Sequence, residues 1–121
     1  MEYESTVTFE SQRFRGVTYS IRRMSFGRRL DLTRQVRDLA RRADFLRAGG
    51  NPVDLIESAV LAAEVDRVYL RWGLVSVDGL GLDGAPATAE GVIESGPEDL
   101  CGEILASLKT ECHLSEEERK N

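Results

Sequence analysis

The chain has 121 residues, of which 41% are hydrophobic and only 7% aromatic, and this fits one domain with an aliphatic core. No stretch approaches the roughly 18 consecutive apolar residues of a membrane-spanning helix, and the acidic N-terminus is unlike a signal peptide, so we expect a cytoplasmic protein with no membrane partner. The net charge of −5 is uneven: residues 1–48 carry net +5 and residues 49–121 carry net −10, which predicts complementary charged surfaces.

The N-terminal segment, residues 1–24, alternates apolar and polar side chains. Val7 and Phe9 point one way along a first run, and Val17, Tyr19 and Ile21 do so along a second run after a polar bend. A period of two with β-branched and aromatic residues predicts a β-hairpin. Because a lone hairpin is barely stable, we expect it to pack against another element.

Two long helices are predicted within residues 26–72. Ser25 is a candidate N-cap for the first helix, and Gly49-Gly50 ends it because glycine adopts the left-handed conformation without strain. Asn51-Pro52 begins the second helix with a capping side chain and a proline at its first position, and Gly73 ends it. The short link predicts an antiparallel helix pair.

The helical periodicity also predicts which faces of this pair are buried. The first helix has one apolar stripe at steps of four and three residues, made of Leu32, Val36, Leu39, Ala43 and Leu46. The second helix is apolar over more of its circumference, with one predicted buried surface at Ile56, Val60, Ala63 and Val68 and another at Leu61, Val65 and Trp72. Such stripes normally face the core.

The remaining chain is rich in turns before it becomes helical again. Residues 73–96 contain a short strand-like run at 74–77 and the turn signals Asp78-Gly79 and Asp83-Gly84, followed by a helical turn that Thr88 can cap. Residues 97–121 begin with Pro97 and two acids and predict a C-terminal helix, with one apolar stripe at Leu100, Ile104, Leu108 and Cys112. A capping box at Ser115 predicts a second, short helix. The predicted fold is therefore a predominantly helical α+β single domain over 1–121.

The sequence offers no catalytic constellation. The single histidine, His113, has no recognisable partners, and Cys101 and Cys112 lack the paired spacing of a zinc site. These cysteines lie about 16 Å apart along one helix, too far for a disulfide, so we expect both to be reduced. The glycine-rich segment 79–84 lacks the Lys-Ser/Thr of a phosphate-binding loop. We therefore predict no enzyme activity, cofactor or metal.

Arginines on the first helix suggest an alternative function. Six of them could neutralise phosphates of a nucleic acid, namely Arg28, Arg29, Arg34, Arg37, Arg41 and Arg42. However, Asp31, Asp38 and Asp44 interrupt the series, and the acidic second half of the chain would repel nucleic acid. A small nucleic-acid-binding regulator that uses helix 26–48 is thus the disfavoured alternative.

Three segments carry a resemblance to a known family. They are FES…GVTYSIRRMSFGRRLDL near the N-terminus, RWGLVSVDGLGLDGAPAT in the middle and LSEEERKN at the end. Together they resemble tail assembly chaperones of long-tailed (siphovirus-like) bacteriophages and prophages, over residues 9–121. The most specific part is Trp72-Gly73-Leu74-Val75 followed by Gly79-Leu80 and by residues 83–88, and its motifs are structural.

The resemblance implies a non-enzymatic protein of the host cytoplasm that is absent from the mature virion. Such chaperones bind the long helical tape-measure protein and help recruit tail-tube subunits during tail morphogenesis. A ribosomal frameshift often adds a C-terminal extension to part of the product, and the ending Arg119-Lys120-Asn121 is compatible with an A-rich slippery run.

The candidate binding surface combines aromatic anchors, which dominate many interface centres, with arginines of the first helix. It consists of Phe26, Arg28, Arg29, Arg37, Arg41, Tyr69, Trp72 and Leu74. For Trp72 the favoured alternative is a position in the core. For Phe26 and Tyr69, a position in the core and a position in an interface are equally supported. The hairpin could also add its strands to a neighbouring sheet edge and so promote self-association.

Overall fold

The structure, a computed structural model, describes the backbone of residues 1–120 and the side chains of residues 1–113. Along this part of the chain the elements are β1 (Thr6–Glu10), β2 (Thr18–Arg22), α1 (Phe26–Gly49), α2 (Pro52–Gly73), β3 (Leu74–Asp78), β4 (Gly81–Leu82), β5 (Ala85–Pro86), α3 (Ala89–Ser95) and α4 (Glu98–Lys120). The predicted α+β class, with its hairpin, its pair of long helices and its C-terminal helix, is confirmed. The separate short helix predicted from Ser115 is wrong, because α4 continues as one helix to Lys120; the capping side chains lie outside the described ones.

Local signals set the helix ends as the sequence predicts. The Asn51 side chain accepts a hydrogen bond from the Val53 amide at 2.8 Å, and the Thr88 hydroxyl accepts one from the Gly91 amide at 3.0 Å. These bonds satisfy amides that have no partner within the helix. Gly50 follows α1 with a φ of 70°, the left-handed conformation that glycine adopts most easily.

The chain contains two compact units. One unit consists of Met1–Ser25 and Leu70–Asn121, and the other consists of Phe26–Tyr69. The first, which we call the sheet unit, contains the three-stranded sheet with α3 and α4. The second, the helix-pair unit, contains α1 and most of α2. Each unit buries apolar side chains of its own.

The sheet unit is built on an antiparallel sheet with strand order β1-β2-β3. Phe9 lies opposite Tyr19, and Tyr19 lies opposite Val77. The predicted hairpin is therefore confirmed, and the run at 74–77, which the sequence places in a separate turn-rich segment, becomes its third strand. An irregularity at Ser20/Ile21 shifts the register of β2 against β3. Apolar residues of β2 face the core, and the opposite face is polar.

The core of the sheet unit lies between this sheet and α3 and α4. The predicted stripe of α4 is confirmed at Leu100, Ile104 and Leu108, which are fully buried together with Val92 of α3. Polar bonds also join α4 to the hairpin: the hydroxyls of Tyr19 and Ser107 are 2.7 Å apart. The Glu103 carboxylate accepts a hydrogen bond from the Ser11 hydroxyl at 2.8 Å and so fixes the hairpin turn against the helix.

Of the three apolar faces predicted for α1 and α2, two are confirmed and one is wrong. Leu32 and Ala43 of the α1 stripe are buried. On α2, by contrast, Ile56 and Val60 are 68% and 49% exposed instead of buried, and Ala63 is exposed as well. The buried face is centred on Leu61 and on Ser58, whose hydroxyl donates to the Ala43 carbonyl at 2.8 Å.

Alkaline pH is expected to lower the free energy of unfolding of the sheet unit. Burial raises the pKa of the Tyr19 phenol and the pKa of the Cys101 thiol above their ordinary values. The folded state therefore holds these protons more tightly than the unfolded chain does. The resulting stability is fully present below about pH 8.5, the ordinary value for cysteine, and falls as the pH rises through about 10. Urea denaturation across this range measures it.

The variant Tyr19→Phe provides the control for this prediction. It removes the phenol together with its bond to Ser107, so its stability at neutral pH should fall by about 1 kcal/mol. Its further loss between about pH 9 and pH 11 should then be smaller than that of the wild type. A urea midpoint that declines equally in both proteins would contradict the assignment to Tyr19.

Candidate protein-binding surface

The structure distributes the eight predicted binding residues over both units. In the helix-pair unit, Phe26 is 88% exposed, so its predicted alternative as a core residue is wrong. Arg37 and Arg41 are exposed as well, whereas Arg28, Arg29 and Tyr69 are half-buried. A surface that contains Phe26, Arg37 and Arg41 is therefore available on α1.

The two predicted anchors in the sheet unit belong to its core. Leu74 is 5% exposed and lies opposite Ile21 in the sheet. Trp72 is half-buried and packs against the same apolar cluster, as its alternative interpretation predicts. Its carbonyl accepts a hydrogen bond from Arg22 at 3.0 Å. Neither residue presents an exposed apolar side chain, so we exclude both from the candidate surface.

An exposed apolar feature that sequence reasoning missed lies on α2. Val53 and Ile56 are 71% and 68% exposed, and Val60 and Ala63 continue the same row. The steps of three, four and three residues place all four side chains on one face. We call this row the α2 stripe. Its flank carries negative charge, because Glu57 and Glu64 lie one helical turn from Val60.

A single sequence signal could have revealed the α2 stripe. The helix has apolar side chains over more of its circumference than one partner helix can cover, so one of its two apolar faces had to be left for another partner. Periodicity alone does not say which face is left. The contact between Ser58 and Ala43 decides it.

The outer face of α1 combines basic and aromatic side chains. Leu30, Arg34, Arg37, Arg41 and Phe45 follow one another at steps of four or three residues and are all exposed. We call them the α1 row. Phe45 is 79% exposed and, with Arg41, Arg42 and Leu46, lines a surface pocket of about 460 Å³. An aromatic ring beside guanidinium groups is a composition typical of protein interfaces.

The charged groups of the sheet unit form exposed pairs. Arg71 donates to the carboxylates of Glu90 and Glu94 at 2.9 and 2.7 Å, and these acids raise the pKa of its guanidinium. Arg13 lies 3.1 Å from Asp99. Exposed pairs of this kind contribute little to stability. The Arg71 pairs join α2 to α3, and the Arg13 pair joins the hairpin turn to α4.

The described side chains include no group of three or more His, Cys, Asp or Glu residues placed to hold a metal ion. Cys101 and Cys112 are not joined by a disulfide. The Cys101 thiol donates to the Val92 carbonyl at 3.3 Å, a structural contact between α4 and α3.

Comparison of the chain with protein-family models, with curated proteins and with solved structures gives no match. Within the described residues, no helix is both long and apolar enough to cross a membrane.

Proposed function

We propose that this protein is a tail assembly chaperone of a long-tailed bacteriophage or prophage. In the host cytoplasm it binds the tape-measure protein and helps recruit tail-tube subunits, and it does not remain in the mature virion. The observation that carries the proposal is the α2 stripe, a row of exposed apolar side chains on one face of a helix. The identity of the partner comes from the sequence resemblance.

The α2 stripe has the geometry that an amphipathic helix requires of its partner. Its side chains recur with the spacing by which two helices pack along a shared seam. Each fully buried Val or Ile side chain contributes about 1.5–3 kcal/mol, so covering Val53, Ile56 and Val60 would provide useful affinity. A long helical protein that awaits assembly exposes many such faces, and covering them prevents aggregation.

The motif that carries the resemblance contributes to the fold. A Cβ atom at Gly73 would collide with the Leu108 side chain, and one at Gly79 would collide with the Gly16 carbonyl. Asp83 and Gly84 both have positive φ values, 52° and 84°, and Thr88 caps α3. These residues act through backbone conformation and close packing. The motif therefore supports the resemblance to the tail assembly chaperones and a non-enzymatic role.

Co-expression with the tape-measure protein encoded by the same genome tests the proposal. We expect the wild-type chain to keep the tape-measure protein soluble and to be retained with it on an affinity column. The double variant Ile56→Glu/Val60→Glu should reduce the affinity by about a hundredfold, because burial of two unpaired carboxylates costs several kcal/mol. Its helical circular dichroism should be unchanged, since both positions are exposed.

A matched control separates the stripe from net charge. Thr33→Glu/Gln35→Glu adds the same two carboxylates at exposed positions of α1, on a different helix from the stripe, and we expect it to retain the tape-measure protein. The proposal fails if the wild-type chain neither solubilises nor retains that protein. If the two double variants lose binding equally, only the assignment of the binding surface to the α2 stripe fails.

The α1 row gives the nucleic-acid alternative a specific test. Arg34, Arg37 and Arg41 share one exposed face, as phosphate contacts would require. Exposed Phe26 and Phe45 on the same helix favour a protein partner instead. Titration with duplex DNA at two salt concentrations decides between them, because phosphate binding weakens steeply with salt. We expect no salt-dependent binding under conditions that retain the tape-measure protein.

A further inference from the structure

Strand β1 lies at an open edge of the sheet. Among the described residues it pairs with β2 alone. The Ser11 amide donates to the Val17 carbonyl, and the Arg23 amide donates to the Ser5 carbonyl. Along two antiparallel strands, residue pairs that exchange backbone hydrogen bonds alternate with pairs that do not. The odd-numbered residues of β1 therefore bond to β2, and Thr6, Thr8 and Glu10 direct their N–H and C=O groups outward. This edge offers a row of backbone groups to a further strand.

A groove runs beside this edge on the α4 side of the sheet. It has a volume of about 310 Å³ and is lined by Phe9, Ala106, Ser107, Thr110 and Glu111. The Phe9 ring stacks on Tyr19 with centroids 5.6 Å apart and remains 37% exposed. A strand added next to β1 would place every second side chain beside Phe9, in this groove. An apolar side chain fits there.

The opposite face of the same edge carries negative charge. Glu10 lies across from Thr18, and Thr18 lies across from Asp78, so two acids occupy one end of this polar face. Arg22 lies at the other end of this face, across from Thr6, and the exposed residues Glu2 and Glu4 precede the strand. The neighbouring positions of an added strand would therefore favour lysine or arginine, since opposite charges stabilise cross-strand pairs.

We propose that the β1 edge binds an extended segment of another protein in which apolar and basic residues alternate. The apolar side chains enter the groove beside Phe9, and the basic ones lie beside Glu10 on the other face. The backbone of the segment pairs with Thr6, Thr8 and Glu10 and extends the sheet to four strands. This surface lies in the sheet unit, whereas the α2 stripe lies in the helix-pair unit, so the proposal does not rest on the identity of the tape-measure partner.

A peptide titration followed by amide NMR signals tests the proposal on the full chain. The probe is a short synthetic peptide that alternates leucine with lysine, and its counterpart carries glutamate in place of lysine. We expect the lysine peptide to shift the amide signals of Thr6, Thr8 and Glu10 more than those of Val7 and Phe9, whose amides already bond to β2. The glutamate peptide should bind at least about tenfold more weakly.

Two variants of Thr8 separate backbone pairing from other contacts. Thr8→Pro removes an outward N–H, which an edge strand tolerates, and should weaken binding by at least about tenfold. Thr8→Val keeps the N–H but, like proline, loses the 2.7 Å hydrogen bond to Ser20, and should bind within about twofold of the wild type.

Three outcomes would overturn the inference. One is undiminished binding by Thr8→Pro, and another is equal binding of the lysine and glutamate peptides. The third is a dimer of the free chain that dissociates in Thr8→Pro, which would assign the edge to a second copy. Since the titration contains no tape-measure protein, its failure leaves the co-expression test of the chaperone function unaffected.

Discussion

Replacing Ile104 with alanine should destabilise the sheet unit by about 2–5 kcal/mol, the range for large-to-small substitutions at fully buried sites. Ile104 has no exposed surface and lies within the cluster formed by β2, β3, α3 and α4. Its neighbours along α4, Leu100 and Leu108, are equally buried, so the surrounding side chains are held in place and cannot fill the space that the substitution leaves. The removed methyl groups therefore leave a cavity.

The measurement is urea denaturation monitored by the fluorescence of Trp72, the single tryptophan, which packs against this cluster. Ile56→Ala is the matched control, because it makes the same substitution on a helix at a site that is 68% exposed. We expect it to change stability by less than about 0.5 kcal/mol. Equal losses in both variants would show that Ile104 is not in the core.

Replacing Gly79 with alanine should destabilise the sheet unit by about 2–4 kcal/mol, from a left-handed conformation and a steric collision together. Gly79 has a φ of 82° directly after β3. A Cβ atom there would collide with the Gly16 carbonyl and lie 3.4 Å from the Val17 Cα. The obstructing atoms are backbone, so relief requires the ends of β2 and β3 to separate.

Gly84→Ala is the control that isolates the collision. Gly84 has nearly the same φ, 84°, but a Cβ atom there meets nothing within 4 Å. Its cost should therefore be the conformational strain alone, about 1 kcal/mol, in the same urea denaturation experiment. If Gly79→Ala and Gly84→Ala were equally stable, the proposed contact with Gly16 would be absent.

Much of the secondary structure follows from residues close together in the chain. The helix caps at Asn51 and Thr88 and the helix end at Gly50 each depend on residues within about one helical turn. They can therefore be predicted from the sequence. The alternation around Tyr19 and the stripe through Ile104 predict the core faces of β2 and α4 for the same reason. Each of these two elements has a single apolar side, so the sequence offers no alternative core face.

The candidate site was harder to predict because α2 has more than one apolar side. Its pattern predicts burial of Ile56 and Val60 as readily as burial of Leu61. Only one of these two faces can be buried against α1. Likewise Trp72 and Leu74 look like interface anchors in isolation, and it is their packing in the sheet unit that assigns them to a core. Burial is a property of the partner surface, which the local sequence does not contain.

By itself the sequence determined the helices, the hairpin, the α+β class and the uneven charge, since each depends on local propensity, periodicity or composition. The tertiary structure alone decided that β3 joins β2 across more than fifty residues of chain, that the chain divides into two units, and that the α2 stripe and the β1 edge remain exposed. Those outcomes depend on which surfaces meet, and long-range pairing is set by packing and backbone hydrogen bonds that no single segment specifies.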